Sequence, residues 1–389
     1  MAQCRFRPPS ADAGSEYDFA YSLVIASAAK QSSLDCRALR ARNVARDLGQ
    51  VTIPTTSRRW LKLALGLLIS AVFLYATFRT VPLARVADAL GGADAKWLVA
   101  SLGFVALAYV TKIFRWLTML RSLGATIGLG EAAVPFMGGV AFNNVLPLRA
   151  GDLIRVLAFQ RFTGVPPSGQ IGTVVLERMM DLLVLTAILF ATLSFWSVTA
   201  LDETFLAGLR LVAAGAVVAV LLFILAPRPI RLVVRWGETR VPRLRPAGEA
   251  FLRLSDAVAT LSRPLFLVRI VAISFVAWLA EGGAYFAVGH ALGLGAGPQV
   301  ALLALSVGTL ATMIPSSPGY VGTFHYFVAK VVGAFGVGAV AATAYAVLIH
   351  ALLWLATTSV GFLGLAFSGM AARGSEPQGV KSFSGKPES

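Results

Sequence analysis

Six apolar runs divide this chain: residues 60–78, 97–118, 171–196, 205–226, 265–289 and 339–368. Each is long enough to cross a bilayer, which takes about 20 predominantly apolar residues per helix. In hydrocarbon a backbone amide finds no water, so a spanning segment must satisfy its own hydrogen bonds as a helix. The overall composition fits. Hydrophobic residues make up 57% of the chain, charged residues 14%, and mean hydropathy is +0.74, whereas ordinary globular domains are about 25% charged. Trp60, Trp97, Trp116 and Trp196 stand at or near run ends, where aromatic anchors meet the headgroups. The chain reads as an all-α, polytopic integral membrane protein.

A net charge of +15 would suit nucleic acid, but the basic residues collect between apolar runs and form no recognised nucleic-acid module. They set topology and touch anionic headgroups instead. Residues 227–264 hold eight arginines against three acids, which places that loop in the cytoplasm. Residues 197–204 contain Asp202 and Glu203 and no basic residue, so they face outside. With six spans, both termini are then cytoplasmic. Residues 1–59 carry nine Lys/Arg and five Asp/Glu and read as a largely disordered polar arm. The run 22–29 within it is too short to span, and Glu16 and Asp18 before it argue against a signal peptide. Residues 369–389 read as a disordered tail. Cys4 and Cys36 both precede the first run and His290, His325 and His350 are scattered, so no disulfide framework, metal site or cofactor is expected.

Two further apolar stretches are too short. Residues 132–147 end at Pro147 and residues 300–314 stop before Pro315; at 1.5 Å per residue each reaches only about 24 Å, against a hydrocarbon core of about 30 Å. Each is followed by a polar or Gly/Pro break and a short amphipathic segment, 152–163 or 321–336. Two half-length arms joined by a turn describe a re-entrant hairpin, which survives at membrane depth only inside protein or along a cavity. The order span, span, hairpin, span then occurs twice, over 60–196 and 205–368. Three spans per copy insert the second copy upside down, an arrangement seen in transporters.

Charges in hydrocarbon cost about 2.5–3.5 kcal/mol each on insertion scales, so each needs a partner or a cavity. Asp152 can pair with Arg155 at i,i+3. Arg149 and Arg155 fit either a phosphate, whose oxygens match guanidinium forks, or an ordinary positive-inside role; Arg161 fits the latter. Glu177, Arg178 and Asp181 lie deep in a predicted span, with Glu177 and Asp181 on one face. They read as a structural ion cluster, a functional one, or both. Asn143 and Asn144 just before the first break imply a wet cavity. In the second copy Glu281 shares a face with Tyr285, and His325 lies among Tyr320 and Tyr326, where it could relay protons, bind a headgroup or simply be hydrogen-bonded in place. Lys330 is a further ionisable residue there. Lys112 and Arg115 read as snorkelling residues near a helix end.

Three patterns in order, NNVLPLRAGDLIRVL (143–157), LERMMDLLVL (176–185) and IPSSPGYVGTFHY (314–326), resemble the lysylphosphatidylglycerol synthase transmembrane region family, which includes the membrane half of the bacterial multiple peptide resistance factor. The resemblance covers about residues 60–368. It implies a bacterial inner-membrane protein that flips or handles phospholipids and related polyisoprenoid or glycolipid substrates. The positions that carry the match are Pro147, Arg149, Gly151, Asp152 and Arg155; Glu177, Arg178 and Asp181; and Pro315, Pro318, Gly319 and Gly322. Two departures stand out. Only about twenty polar residues follow 368, so the soluble aminoacyl-transferring domain, and tRNA-dependent lysyl transfer with it, is not expected. Where members often carry an acidic residue after the last glycine of the third pattern, this chain has Thr323 and His325.

The leading expectation is a flippase-like protein in which Arg149 and Arg155 hold a headgroup phosphate while Asp152, Glu177, Arg178 and Asp181 organise the cavity. Its partners are membrane lipids, an anionic phospholipid or a lipid-linked substrate, with a homo-oligomer or partner enzyme left open. The alternatives are a membrane-embedded transferase acting on a lipid-linked substrate, although no DxD-like donor site is present, and a non-catalytic partner of lipid-modifying enzymes.

Overall fold

The computed structural model describes residues 56–79, 81–146, 149–158, 163–196, 203–225 and 263–374 except Pro315, with scattered positions between 232 and 261. Its contacts divide the chain into two compact units, Met1–Lys62 and Leu63–Ser389. Of the first, residues 56–62 are described, as the opening turns of a helix; the second contains the site. Pro147, Pro315, Arg161, the arm before residue 56, most of loop 227–264 and the tail after residue 374 fall outside the described residues.

No strand occurs among the described residues. In chain order the helices are α1 (Thr56–Phe78), α2 (Leu83–Gly91), α3 (Ala95–Ser122), α4 (Leu129–Val145), α5 (Ala150–Ala158) and α6 (Pro167–Phe195). They continue as α7 (Glu203–Leu225), α8 (Pro264–Ala291), α9 (Pro298–Ala311), α10 (Thr323–Gly333) and α11 (Ala339–Gly374), with a 3-10 turn at Pro318–Tyr320. The six predicted runs fall on α1, α3, α6, α7, α8 and α11. Helix α2, bent by 77° from α1, has no counterpart among them, and α11 passes its predicted end at residue 368. Among the described residues three helices, α3, α8 and α11, are long and apolar enough to cross a membrane, or four if the bent pair α1 and α2 is one span. With 28 residues each, α3 and α8 extend about 42 Å. Helix α6 is 29 residues long but carries Glu177, Arg178 and Asp181 midway.

Helices α3 and α8 pack antiparallel along their length. Asp94, the N-cap of α3, takes the amide of Lys96 on its side chain, and its own N–H donates to Ala291 O at the far end of α8, 2.8 Å away. Ser101 Oγ donates to Ala284 O at 3.2 Å. Phe104 lies so close to Gly283 that a Cβ there would sit 2.6 Å from its ring.

Both short runs are broken as their prolines and glycines imply. Helix α4 stops where Leu146 turns extended, and α5 folds back against it. A Cβ at Gly151 would collide with the carbonyl oxygen of Gly139, so the return arm can approach only without a side chain there. Asn143 secures the turn, its Oδ1 accepting from the Asp152 amide at 3.2 Å and its Nδ2 donating to Asp152 Oδ1 at 3.0 Å. In the second hairpin Gly308 of α9 lets Phe324 and Val328 of α10 pack onto it. The break between them passes through left-handed Gly319 and Gly322, at φ +71° and +97°. Gly322 lies against the Ser70 carbonyl of α1, and Ser70 Oγ accepts from Ser317 N at 2.8 Å.

The packing pairs carry an internal symmetry. Helix α4 packs on α11 and α9 on α6; α5 on α6 and α10 on α11; α3 on α4 and α8 on α9; α3 on α11 and α8 on α6. Exchanging α3 with α8, α4 with α9, α5 with α10 and α6 with α11 maps this set onto itself. Each broken helix thus leans on the last long helix of the other half, which brings the two breaks together.

Candidate functional site

The meeting point of the breaks is a partly open cavity of about 180 Å³. That volume is far above the ~15 Å³ needed to hold one water. Arg149, at the first break, reaches into the second: its Nε donates to Tyr320 Oη at 3.0 Å and its Nη2 to Thr312 Oγ1 at 3.1 Å. Helix α11 ties the first break down from behind. Asn144 Nδ2 lies 2.9 Å from both Thr357 Oγ1 and Thr358 Oγ1, and Trp354 Nε1 donates to Asn144 O at 3.3 Å.

Beneath the breaks lies an ion network built by four helices. From α3, Arg115 Nη1 reaches Asp181 Oδ1 at 2.6 Å and Ser274 Oγ at 2.7 Å, while Lys112 Nζ meets Glu281 Oε2 at 2.5 Å. Trp278 Nε1 donates to Asp181 Oδ1 at 3.0 Å, and its ring lies 3.9 Å from Lys112 Nζ. Arg178 faces both oxygens of Asp152 at 3.1 Å, Asp181 at 3.5 Å and Glu177 at 3.6 Å. Arg155 Nη2 reaches Glu177 Oε2 at 3.3 Å, with its guanidinium 4.9 Å from the Trp116 ring and 4.8 Å from the Phe136 ring. Buried ions are costly to desolvate and persist when geometry and added hydrogen bonds compensate them, and here each carboxylate has a cation at bonding distance.

The structure sorts the predicted residues into a lining and a backing layer. Asn143, Asn144, Arg149, Glu177, Arg178, Asp181, Glu281 and Tyr320 line the cavity. Asp152 and Arg155 stand behind them. The expected Asp152–Arg155 pair is loose, at 3.9 Å, because Arg178 and Glu177 claim the two residues from α6. Arg155, 1% exposed, is committed to Glu177 and two aromatic rings. His325 also lies behind the lining. Its Nδ1 accepts from the Gly322 amide at 3.2 Å, and its Nε2 lies 3.1 Å from Nδ1 of His350, a cavity residue. Since Nδ1 of His325 accepts, the proton on its ring is at Nε2 and points to His350. Pro318, Gly319 and Gly322 shape the second break and Gly151 the first.

Lys112 and Arg115 do not snorkel. Arg115 is 0% exposed and both line the cavity. The reason is length: α3 continues to Ser122, so Lys112 lies ten residues, about 15 Å, from its end. A side chain cannot cover that distance to water. Counting from the true helix end rather than from the last apolar residue would have found them. Trp278, Thr312, His350 and Trp354 also went unpredicted, since nothing in their local sequence separates them from ordinary helix residues.

The break and network residues all fall inside the segment of known kinship. The family described as Lysylphosphatidylglycerol synthase TM region matches residues 63–361. The chain is 27% identical over 335 residues to "Glycosyltransferase AglD" of Haloferax volcanii, an alignment covering 75% of this chain and 53% of that protein. It thus spans about half the length of the curated relative it matches. A match over residues 63–361, with both broken helices and the whole ion network inside it, makes this chain a member of the lysylphosphatidylglycerol synthase TM region family.

Proposed function

We propose that this membrane protein binds a phospholipid or related lipid-linked molecule by its phosphate at Arg149 and carries it between leaflets through the cavity at the two breaks. The observation that supports this most is the state of Arg149. Its guanidinium faces the cavity, its hydrogen bonds go to the neutral oxygens of Tyr320 and Thr312, and among the described residues no carboxylate forms an ion pair with it. A half-buried cation that faces a cavity without a protein counter-ion is open to an anionic ligand, and its planar guanidinium suits phosphate. Arg155, in this reading, positions Glu177 and α5 and does not touch the lipid. Asp152, Glu177, Arg178 and Asp181 hold the cavity's shape.

Two membrane repeats, 60–196 and 205–368, frame the site in this proposal. The second is inverted relative to the first, both termini are cytoplasmic, and the host membrane is a bacterial inner membrane. The symmetric exchange of packing pairs favours the repeat. The test is leaflet translocation of a labelled anionic phospholipid in proteoliposomes. Arg149→Gln should abolish it while the protein stays folded; undiminished translocation by Arg149→Gln would reject the reading.

A second reading is a membrane-embedded transferase acting on a lipid-linked substrate, favoured by the similarity to the Haloferax volcanii glycosyltransferase. It predicts lipid products of altered mass when purified protein is incubated with a sugar donor and acceptor lipid. Translocation predicts unchanged masses.

A further inference from the structure

The kind of headgroup follows from the charge inventory, granted the reading that the cavity takes a lipid phosphate. Five cationic side chains (Lys112, Arg115, Arg149, Arg155 and Arg178) line or back it together with four carboxylates. Glu281 is held by Lys112 at 2.5 Å, Asp181 by Arg115 at 2.6 Å, Asp152 by Arg178 at 3.1 Å and Glu177 by Arg155 at 3.3 Å. No carboxylate of this network is left to receive an ammonium group. An entering amine would meet cations already paired with the acids, and one more besides, with no counter-ion of its own. A single negative charge at Arg149 would balance the set.

Past the phosphate position the cavity offers uncharged polar groups. Tyr285 is 0% exposed, lines the cavity, and its buried Oη makes no close hydrogen bond, only a looser approach to the Thr309 side chain. Such a hydroxyl is costly to leave unsatisfied. Thr309 and Trp354 share the wall with it. Hydroxyls together with aromatic faces are the surroundings a polyol or sugar fits, since its OH groups donate and accept and its C–H faces lie on rings.

We propose that the cavity selects lipids whose head is a singly charged phosphodiester followed by hydroxyl groups, and rejects lipids whose head ends in an amine. Phosphatidylglycerol and a polyprenyl phosphosugar share this chemistry. The full-length protein, purified and presented with equal amounts of phosphatidylglycerol, polyprenyl phosphomannose, phosphatidylethanolamine and lysyl-phosphatidylglycerol, is examined by native mass spectrometry. The hydroxylated monoanions should be retained at least about tenfold over both amine lipids, and the stronger of the two identifies the source. Tyr285→Phe should narrow that preference, and Arg149→Gln should release all four. Equal retention of the amine lipids by the wild-type chain, with release on Arg149→Gln, overturns the headgroup rule and leaves phosphate binding intact. Retention indifferent to Arg149→Gln, or no retention of any phosphate lipid, overturns the phosphate reading itself.

Discussion

Arg149 and Tyr320, 171 residues apart, are hydrogen-bonded to one another at 3.0 Å and are the two non-glycine residues with positive φ among the described residues, at +53° and +59°. Each belongs to a different broken helix. An L-residue held left-handed costs about 1–2 kcal/mol, and such strain persists where the surroundings over-determine it, often at ligand sites. Two strained residues whose side chains join across the two breaks tie the breaks to one another at the cavity. Tyr320→Phe removes only the shared hydroxyl. It should lower translocation about fivefold, the equivalent of one hydrogen bond of roughly 1 kcal/mol, and leave the thermal unfolding temperature within a degree or two. A large drop in that temperature would make the contact structural.

The glycines of the breaks differ in what they permit. Gly151→Ala forces a methyl into the Gly139 carbonyl, and Gly322→Ala forces one into Ser70 of α1 while also straining φ at +97°. Each should cost several kcal/mol, on the order of an overpacked core plus a strained backbone. Gly293→Ala, at φ +63° with open space around it, should cost only about 1 kcal/mol. Monodispersity in detergent and thermal unfolding separate them: the first two should aggregate and the third should not.

Lys112 and Glu281 suit a double-mutant cycle. Removing one member of a buried pair strands the other charge, at about 3–5 kcal/mol. Lys112→Met and Glu281→Gln should each destabilise strongly, whereas the double variant should recover much of the loss, with a coupling above about 1 kcal/mol. Additive losses would show that the two groups find other partners once separated.

His325 performs a local task that a Glu or Gln side chain commonly performs at a helix start. The third residue of a helix commonly reaches back to the N-cap amide, and His325 Nδ1 does so at Gly322. His325→Ala should therefore lower stability by about 1 kcal/mol. His325→Gln, which can accept the same N–H, should retain most of it. If the glutamine variant is as unstable as the alanine one, the His350 contact, not the cap, is what matters.

Helices and breaks were legible along the chain for a local reason. In hydrocarbon the backbone must close its own hydrogen bonds, so apolar runs became helices, and short runs bounded by proline and glycine became hairpins whose arms touch through Gly151 and Gly308. The wet interior could be inferred from Asn143, Asn144 and the charges of α6, because polar groups at that depth need partners. The choice of partners was not legible. Arg178 took Asp152 from a different helix, Arg155 turned to Glu177 between two rings, and Lys112 and Arg115 joined the network because α3 runs past its apolar stretch. Ion pairing over 66 or 169 residues of chain depends on which helix faces cross, and crossing is decided by packing, not by local spacing. Sequence alone determined the long apolar helices, the breaks in the short ones and a buried polar layer, but not helix α2. Tertiary structure decided which cations are neutralised, and left Arg149, at the junction of the two breaks, bonded to the uncharged oxygens of Tyr320 and Thr312.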